Sequence, residues 1–354
     1  MSDGLEEVIA AETVLSHADG ENGLVWVRGH SIGDLVAHHG YEGTIALLWD
    51  GFVAEGLTRE RVVVELGEAR KLAFSRLGDW LPMAAHRPLI EGVRVALAHL
   101  PEDSLASSIA ATLPVAVAAL LQARQGKSPV APDAKLATAA DFLRMIDGVP
   151  AEEKRVTALD AYLTAVIDNG LGTSTFAARV IISTRASLVS AVLGAYGAFT
   201  GSLHGGAPAL ALDMLDEITA SGDVDAWLTR TLATGRRLMG FGHRVFRVRD
   251  PRADILRAAL QQLDPDSRRL ALALEVERRA VAALERHKPG RRLAANVEMD
   301  AALLLEAIGL PREAFMPAFA IARAPSWIAH ALEQQKIGRM IRPRSVYIGR
   351  LSGG

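Results

Sequence analysis

Apolar residues recur at helical spacing through most of this chain, and that pattern limits the fold more than anything else in it. Leu105, Ile109, Leu113, Val117 and Leu121 stand four apart and fall on one stripe of a helix. Alanine fills many of the positions between such residues and favours the same conformation. Asp250 followed by Pro251 reads as an N-cap with proline in the first turn, opening a helix through Leu256, Leu260 and Leu263 that the segment Asp264-Pro265-Asp266-Ser267 breaks. A further helix is expected from about Arg268 to Arg286, stopping before Pro289-Gly290. Alternating patterns are short and confined to the N-terminal region near Gly23-Leu24-Val25-Trp26-Val27, which predicts one small hairpin. The expected class is all-α.

With 354 residues, half of them hydrophobic, the chain can bury a large core and divide into two domains. Its 39 basic and 41 acidic residues are dispersed, so no nucleic-acid footprint stands out. The absence of cysteine excludes disulfides, thiolate metal sites and a cysteine nucleophile, and fits a reducing compartment. The acidic start has no apolar stretch behind it and does not read as a secretory signal. The most apolar run, Ile109 to Leu121, carries Thr112 and Pro114 and is shorter than a bilayer span, so a cytoplasmic protein without membrane contact is expected. No histidine pair has the spacing of a His-Glu-x-x-His metal site.

Polar groups and glycine combine in four segments. The segment Gly201-Ser202-Leu203-His204-Gly205-Gly206-Ala207-Pro208 sets a lone histidine ahead of a helix starting near Pro208, an arrangement suited either to close ligand approach or to a tight interdomain turn. Residues 239–252 place His243 and four arginines in a loop containing Gly240, Phe241 and Gly242, a design for binding carboxylates or phosphates. Arg252 falls in the first turn of the following helix, where a cation is disfavoured unless an anion joins it. Asn296-Val297-Glu298 is the third segment, and Phe319 to Arg323 with Trp327 to His330 and Ile341 to Arg344 the fourth.

Together these segments resemble the citrate synthase family in order and spacing, with weaker similarity at Arg28 to Leu35, so the likeness spans essentially the whole chain. The resemblance implies a two-domain helical fold, with a large dimer-forming domain of residues 1–205 and 311–354 and a smaller one of 206–310 closing over a cleft. It implies an acyltransferase of the tricarboxylic acid cycle that condenses acetyl-CoA with oxaloacetate to give citrate and CoA. Acetyl-CoA would be the co-substrate, with no bound cofactor and no metal. By the same likeness Glu298 would be the base, His204 the donor to the thioester oxygen, and His243 the group polarising the ketone. Arg252, Arg323 and Arg342 would hold the oxaloacetate carboxylates, Arg342 coming from the neighbouring subunit of a homodimer. For CoA, Gly240, Phe241 and Gly242 are expected to contribute, with help from Arg291, Arg292 and Arg344, although 291 and 292 also read as a solvated turn.

Two positions depart from the family pattern. Asn169 stands where a histidine contacting oxaloacetate is expected, and an amide can donate a hydrogen bond but cannot become cationic. Glu298 replaces the usual aspartate and adds a methylene, a length also familiar from short bacterial members. Pro325, two residues after Arg323, removes one helical hydrogen bond and predicts a kink. The chain ends soon after Arg344, so an intersubunit clasp formed by an extended tail is expected to be absent. Two further readings stay open: 2-methylcitrate synthesis from propionyl-CoA, and a paralogue that binds CoA or a dicarboxylate as a sensor without turnover.

Overall fold

A computed structural model describes residues 4, 8–202, 204–205, 207–236, 238–241, 246, 248–287 and 296–349. Among these, three short strands precede a run of helices: β1 Ser16–Asp19, β2 Leu24–Val27 and β3 His30–Ser31. A short α1, Ile32–Asp34, leads through a π-helical turn, Leu35–His39, into α2 Gly40–Trp49, α3 Arg59–Ser75, α4 Leu77–Ala84, α5 Leu89–Ala98 and α6 Ala106–Arg124. Then come α7 Thr138–Asp147, α8 Glu153–Ala165, α9 Thr173–Ser183, α10 Leu188–Phe199, α11 Ala207–Ser221 and α12 Val224–Ala233. The chain continues with α13 Pro251–Leu263, α14 Arg268–His287, α15 Val297–Ile308 and α16 Phe315–Ile337. The all-α expectation holds.

The expected hairpin is larger than its sequence pattern indicates. Asp19 Oδ1 accepts from the backbone N–H of Glu21 and Asn22, each at 3.0 Å, which closes the turn between β1 and β2. Gly23 completes it at φ +67°, in a space where a Cβ would lie 2.8 Å from Val248 Cγ2. The two strands pair antiparallel from Ser16↔Val27 to Asp19↔Leu24, and Arg28 and Gly29, both at positive φ, turn the chain back so that β3 adds a third strand to β2. A two-residue strand carries no alternation to detect.

Helix α6 forms the centre of the large packed body, against α3, α5, α7 and α16. Its 19 residues are apolar and long enough to cross a bilayer, longer than the run read from the sequence, but 15 of them are buried within the protein. Ile109, Leu113, Val117 and Leu121 are all buried, whereas Leu105 is the N-cap and 71% exposed, so the stripe starts one turn later than expected. Burial on every side, not on one face, is what an interior helix requires.

Helix α16 runs unbroken through Pro325, without the helix break that proline can impose. Proline at 325 supplies no N–H to the carbonyl of Ile321, four residues earlier. The Tyr41 hydroxyl donates to that oxygen at 2.6 Å, and Trp49 Nε1 donates to the Pro325 carbonyl at 3.0 Å. Tyr41 of α2 therefore replaces the donor that Pro325 lacks, and Trp49 adds a second donor to a carbonyl already within the helix.

Ion pairs join α13, α14 and α15. Arg257 bridges Asp300 and Glu277, and Arg249 reaches Asp254 and Glu277. The start of α13 is as the sequence predicts, with Asp250 Oδ1 accepting from the N–H of Arg252 and proline in the first turn.

Candidate active site

His204 sits in the turn between α10 and α11. Its N–H donates to the carbonyl of Gly201 at 3.0 Å, and Gly205 N–H donates to that of Phe199 at 2.9 Å. Gly205 is required here, since a Cβ would approach the Phe199 carbonyl to 2.7 Å. The imidazole packs edge-on against Phe199, whose ring also meets Phe319 and Trp327. His204 Nε2 lies 3.0 Å from Ser174 Oγ at the start of α9, and Trp327 Nε1 donates to the same oxygen at 3.2 Å. An indole N–H can only donate. The assignment that gives the serine proton an acceptor directs it to Nε2, which places the imidazole proton on Nδ1. Burial, reinforced by the positive charge of Arg323, brings the His204 pKa down to about 4, so the ring is neutral at pH 7.

Arg323, on α16, is almost fully buried and donates from Nε to the carbonyl of Val166 at 3.0 Å, with its guanidinium over the Phe319 ring. Burial lowers its pKa to about 10; Asp168 opposes that shift and the nearby Arg252 adds to it. Arg252, also buried, is gripped by Asp250, Nη2 to Oδ2 at 2.6 Å and Nε to Oδ1 at 3.0 Å. The anion needed to hold a cation in the first turn of α13 is thus supplied within the chain, two residues away. That corrects the expectation that the cost of Arg252 by itself points to a ligand.

Glu298 lies in the first turn of α15. Asn296 caps that helix, accepting from Glu298 N–H at 3.0 Å, while its amide nitrogen donates to Glu298 Oε2 at 3.2 Å. Burial raises the pKa of the carboxyl above the ordinary glutamate value, against the pull of the Asn296 amide and Arg252 and with the repulsion of Asp250. The N–H of Asn296 donates to the carbonyl of Gly240 at 2.9 Å, which joins the Gly240-Phe241 turn to the base of α15. Gly240 adopts φ +80°, and a Cβ there would meet Met299 at 3.3 Å.

Charge coupling links these groups in one series: His204 responds to Arg323, Arg323 to Arg252, and Glu298 to Arg252. Side chains carried by α13, α15 and α16 and by the turn after α10, far apart in the chain, therefore lie within electrostatic reach of one another. Asn169 follows Asp168 directly and is partly buried, its Oδ1 shielded from solvent with no hydrogen-bond partner. Arg342 and Arg344 lie exposed along the segment after α16. His243, Gly242, Arg291 and Arg292 fall outside the described residues.

Behind the site lies a polar network absent from the sequence reading. Asp168 is fully buried and accepts from Ser326 Oγ at 2.7 Å, Ser16 Oγ at 2.9 Å and His330 Nε2 at 3.1 Å. Burial by itself raises a carboxyl's pKa; His330, Arg323 and Ser326 overcome it and bring Asp168 down to about 2. His330 Nδ1 in turn accepts from Arg179 of α9, which also pairs with Glu333. Glu333 accepts from the N–H of Val14, so the network reaches the N-terminal segment. Ser174, five residues after Asn169, carries no local signal of its own, since its partners stand 30 and 153 positions away.

Comparison with known proteins identifies the family. Residues 4–344 match the family described as citrate synthase, C-terminal domain. The chain is similar to the citrate synthase of Haloferax volcanii, 36% identical over 98% of this chain and 95% of that one. It is also similar to a 2-methylcitrate synthase of Mycobacterium tuberculosis, 30% identical over 98% and 90%. A solved citrate synthase from Thermotoga maritima superimposes with a TM-score of 0.88 at 31% identity, covering 100% of this chain and 97% of that one. Fold and site define a helical enzyme of the acyltransferase type. The chain belongs to the citrate synthase family.

Proposed function

We propose that this protein condenses acetyl-CoA with oxaloacetate and hydrolyses the resulting thioester, giving citrate and free CoA. The observation that supports the reading is the electrostatic coupling of a neutral imidazole, a carboxyl of raised proton affinity and two buried guanidinium groups. Glu298 removes a proton from the acetyl methyl group. The enolate oxygen receives a hydrogen bond from His204 Nδ1–H, which stabilises charge where it develops. The enolate carbon then forms the new C–C bond to the ketone carbon of oxaloacetate, whose oxygen is polarised by His243. Water attacks the thioester carbonyl, and CoA leaves as the thiol.

Arg252 and Arg323 hold the two carboxylates of oxaloacetate, with Asn169 donating a neutral hydrogen bond, and Arg342 comes from a second subunit. Arg252 is already paired with Asp250, and the repulsion that it still exerts on the buried Arg323 is eased by a bound dianion, which suits this substrate. Gly240 and Phe241 line the approach of the acyl-CoA, with Gly242, Arg291, Arg292 and Arg344 contributing to CoA binding. Closure of residues 206–310 on the rest of the chain excludes water from the enolate.

Free-thiol release measured with oxaloacetate and acetyl-CoA tests the proposal directly. CoA release that requires both substrates and yields citrate is expected. Oxaloacetate binding without CoA release would sink the reading, and a strong preference for propionyl-CoA in the same assay would reassign the product to 2-methylcitrate.

A further inference from the structure

A cavity of about 570 Å³ separates α8, α13 and the π-helical turn that follows α1. That is within the range of small-molecule sites, and a boundary between packed units is a common place for one. The space exists because small side chains face each other: Val36 and Ala37 on the turn, Ala158 and Ala161 on α8, Ile255 and Ala258 on α13. None of its lining residues belongs to the His204 and Glu298 cluster.

One polar group gives the cavity its chemistry. Asp160 lines it, and the backbone is built around that carboxylate: Oδ1 accepts from Tyr41 N–H at 3.3 Å, and Gly40, at φ +64°, leaves room for Oδ2 where a Cβ would stand 2.9 Å away. Oδ2 has no hydrogen-bond partner and is not sealed from the cavity. Burial and the adjacent Glu42 push its pKa up to about 6. Glu42 is fully buried, with Oε1 accepting from Thr138 N–H and Oε2 left without a partner. Arg59 is the cation that acts on Asp160, and its effect is the smallest of those present. The inner end of the cavity therefore carries uncompensated negative charge between apolar walls, and its rim holds Lys154 and Gln262.

We propose that this cavity is a binding site for a small primary amine, with the ammonium group on Asp160 Oδ2 and the apolar body between Val36, Ala158 and Ala258. An ammonium has three donors for a carboxylate oxygen that lacks one, and the hydrocarbon part replaces water along the alanine walls. Ile255 and Ala259 lie three and seven residues beyond Arg252, on the face of α13 that carries it, so an occupant packs against the helix presenting that arginine.

Phenethylamine, titrated calorimetrically into the full chain without substrates, tests this against 2-phenylethanol and 3-phenylpropionate, which share the ring but not the cation. The amine is expected to bind at least about tenfold tighter than the alcohol, a difference of one ion pair's order, and the acid not at all. Asp160→Asn reduces the amine to the affinity of the alcohol. Ala258→Phe keeps the carboxylate, fills the space and abolishes binding of both, so it decides the matter even where the Asp160 variant does not fold. Equal affinity for amine and alcohol, or amine binding that survives in a folded Ala258→Phe protein, overturns the proposal. Because no turnover is measured, the outcome is independent of the reaction assigned to the His204 site.

Discussion

Ser174 decides which nitrogen of His204 carries its proton. With Trp327 Nε1 donating to the serine oxygen, the hydroxyl proton is left for His204 Nε2, and Nδ1–H remains as the donor. Ser174→Ala frees the imidazole to take the other tautomer and leaves the buried Trp327 N–H unpaired. We expect kcat to fall by about 10- to 100-fold, less than the ~10²–10³ from losing the donor outright in His204→Ala. KM for oxaloacetate should stay within about twofold, because the carboxylate-binding arginines are untouched; a loss confined to KM would show that the serine does not act through the histidine. Glu298 gives a pH prediction. A base must be ionised, and burial raises this carboxyl's pKa, so the acid limb of kcat/KM should lie above the ordinary glutamate value and fall as pH drops through it. Stopped turnover across a pH series checks it, and an acid limb at or below pH 4.5 would remove Glu298 from the role. The residues legible in the sequence were those whose neighbours along the chain make a pattern: His204 between glycines, Arg252 after Asp250-Pro251, Glu298 after Asn296. Asp168 and Ser174 were not, because what makes them functional is a partner on α16 more than 150 positions away. Asp250 was legible as a cap but not as the counter-ion of Arg252, since one carboxylate serves both purposes.

Helices were readable where their ends carry capping chemistry. The start of α13 at Asp250-Pro251, its break after Leu263 and the span of α14 follow from local rules alone, because an N-cap and a proline act on their own turn. Proline inside α16 is the opposite case: its outcome depends on α2. The missing N–H at Pro325 is answered by the Tyr41 hydroxyl, some 280 positions away, and no local rule announces a donor at that distance. The same pairing makes a clean stability test. Tyr41→Phe keeps the ring and removes only the hydroxyl, leaving a buried carbonyl with neither its helical nor its substitute donor. The expected cost is about 1–3 kcal/mol, the penalty for stranding one buried polar group, read as a lower denaturation midpoint with an unchanged slope. An unchanged midpoint would mean that the Ile321 carbonyl finds another donor. Trp49→Phe is the contrasting case: the Pro325 carbonyl keeps the Ala329 N–H of the helix, so removing the indole donor strands no carbonyl.

In the single chain, the segment after α16 looks unfinished. Gly338 ends the helix in a left-handed turn, Gln334 Nε2 holds the Arg339 carbonyl at 3.0 Å, and Ile341 N–H donates to Ser183 Oγ at 3.0 Å. Beyond that anchorage, Val346, Tyr347 and Ile348 are 66%, 69% and 95% exposed, and Arg342, earlier in the same segment, is exposed too. Three consecutive large apolar side chains in water favour a surface to cover, and in a symmetric dimer that surface belongs to the other copy. The proposed function has the site around Arg323 completed by Arg342 of a second copy, and a mixing experiment tests that proposal. His204→Ala and Arg342→Ala are each expected to be nearly inactive alone. In a mixed dimer, the subunit with Arg342→Ala keeps its own His204 and receives an intact Arg342 from its neighbour, so one of the two sites is whole. Random exchange makes half of all dimers mixed, and the mixture should recover about a quarter of the wild-type rate per site. If instead Arg342 folded back into the site of its own chain, each subunit would still lack one essential group and mixing would restore nothing. Denaturing and refolding the two variants together, then measuring CoA release against each refolded alone, separates these outcomes without any assumption about how the lobes move.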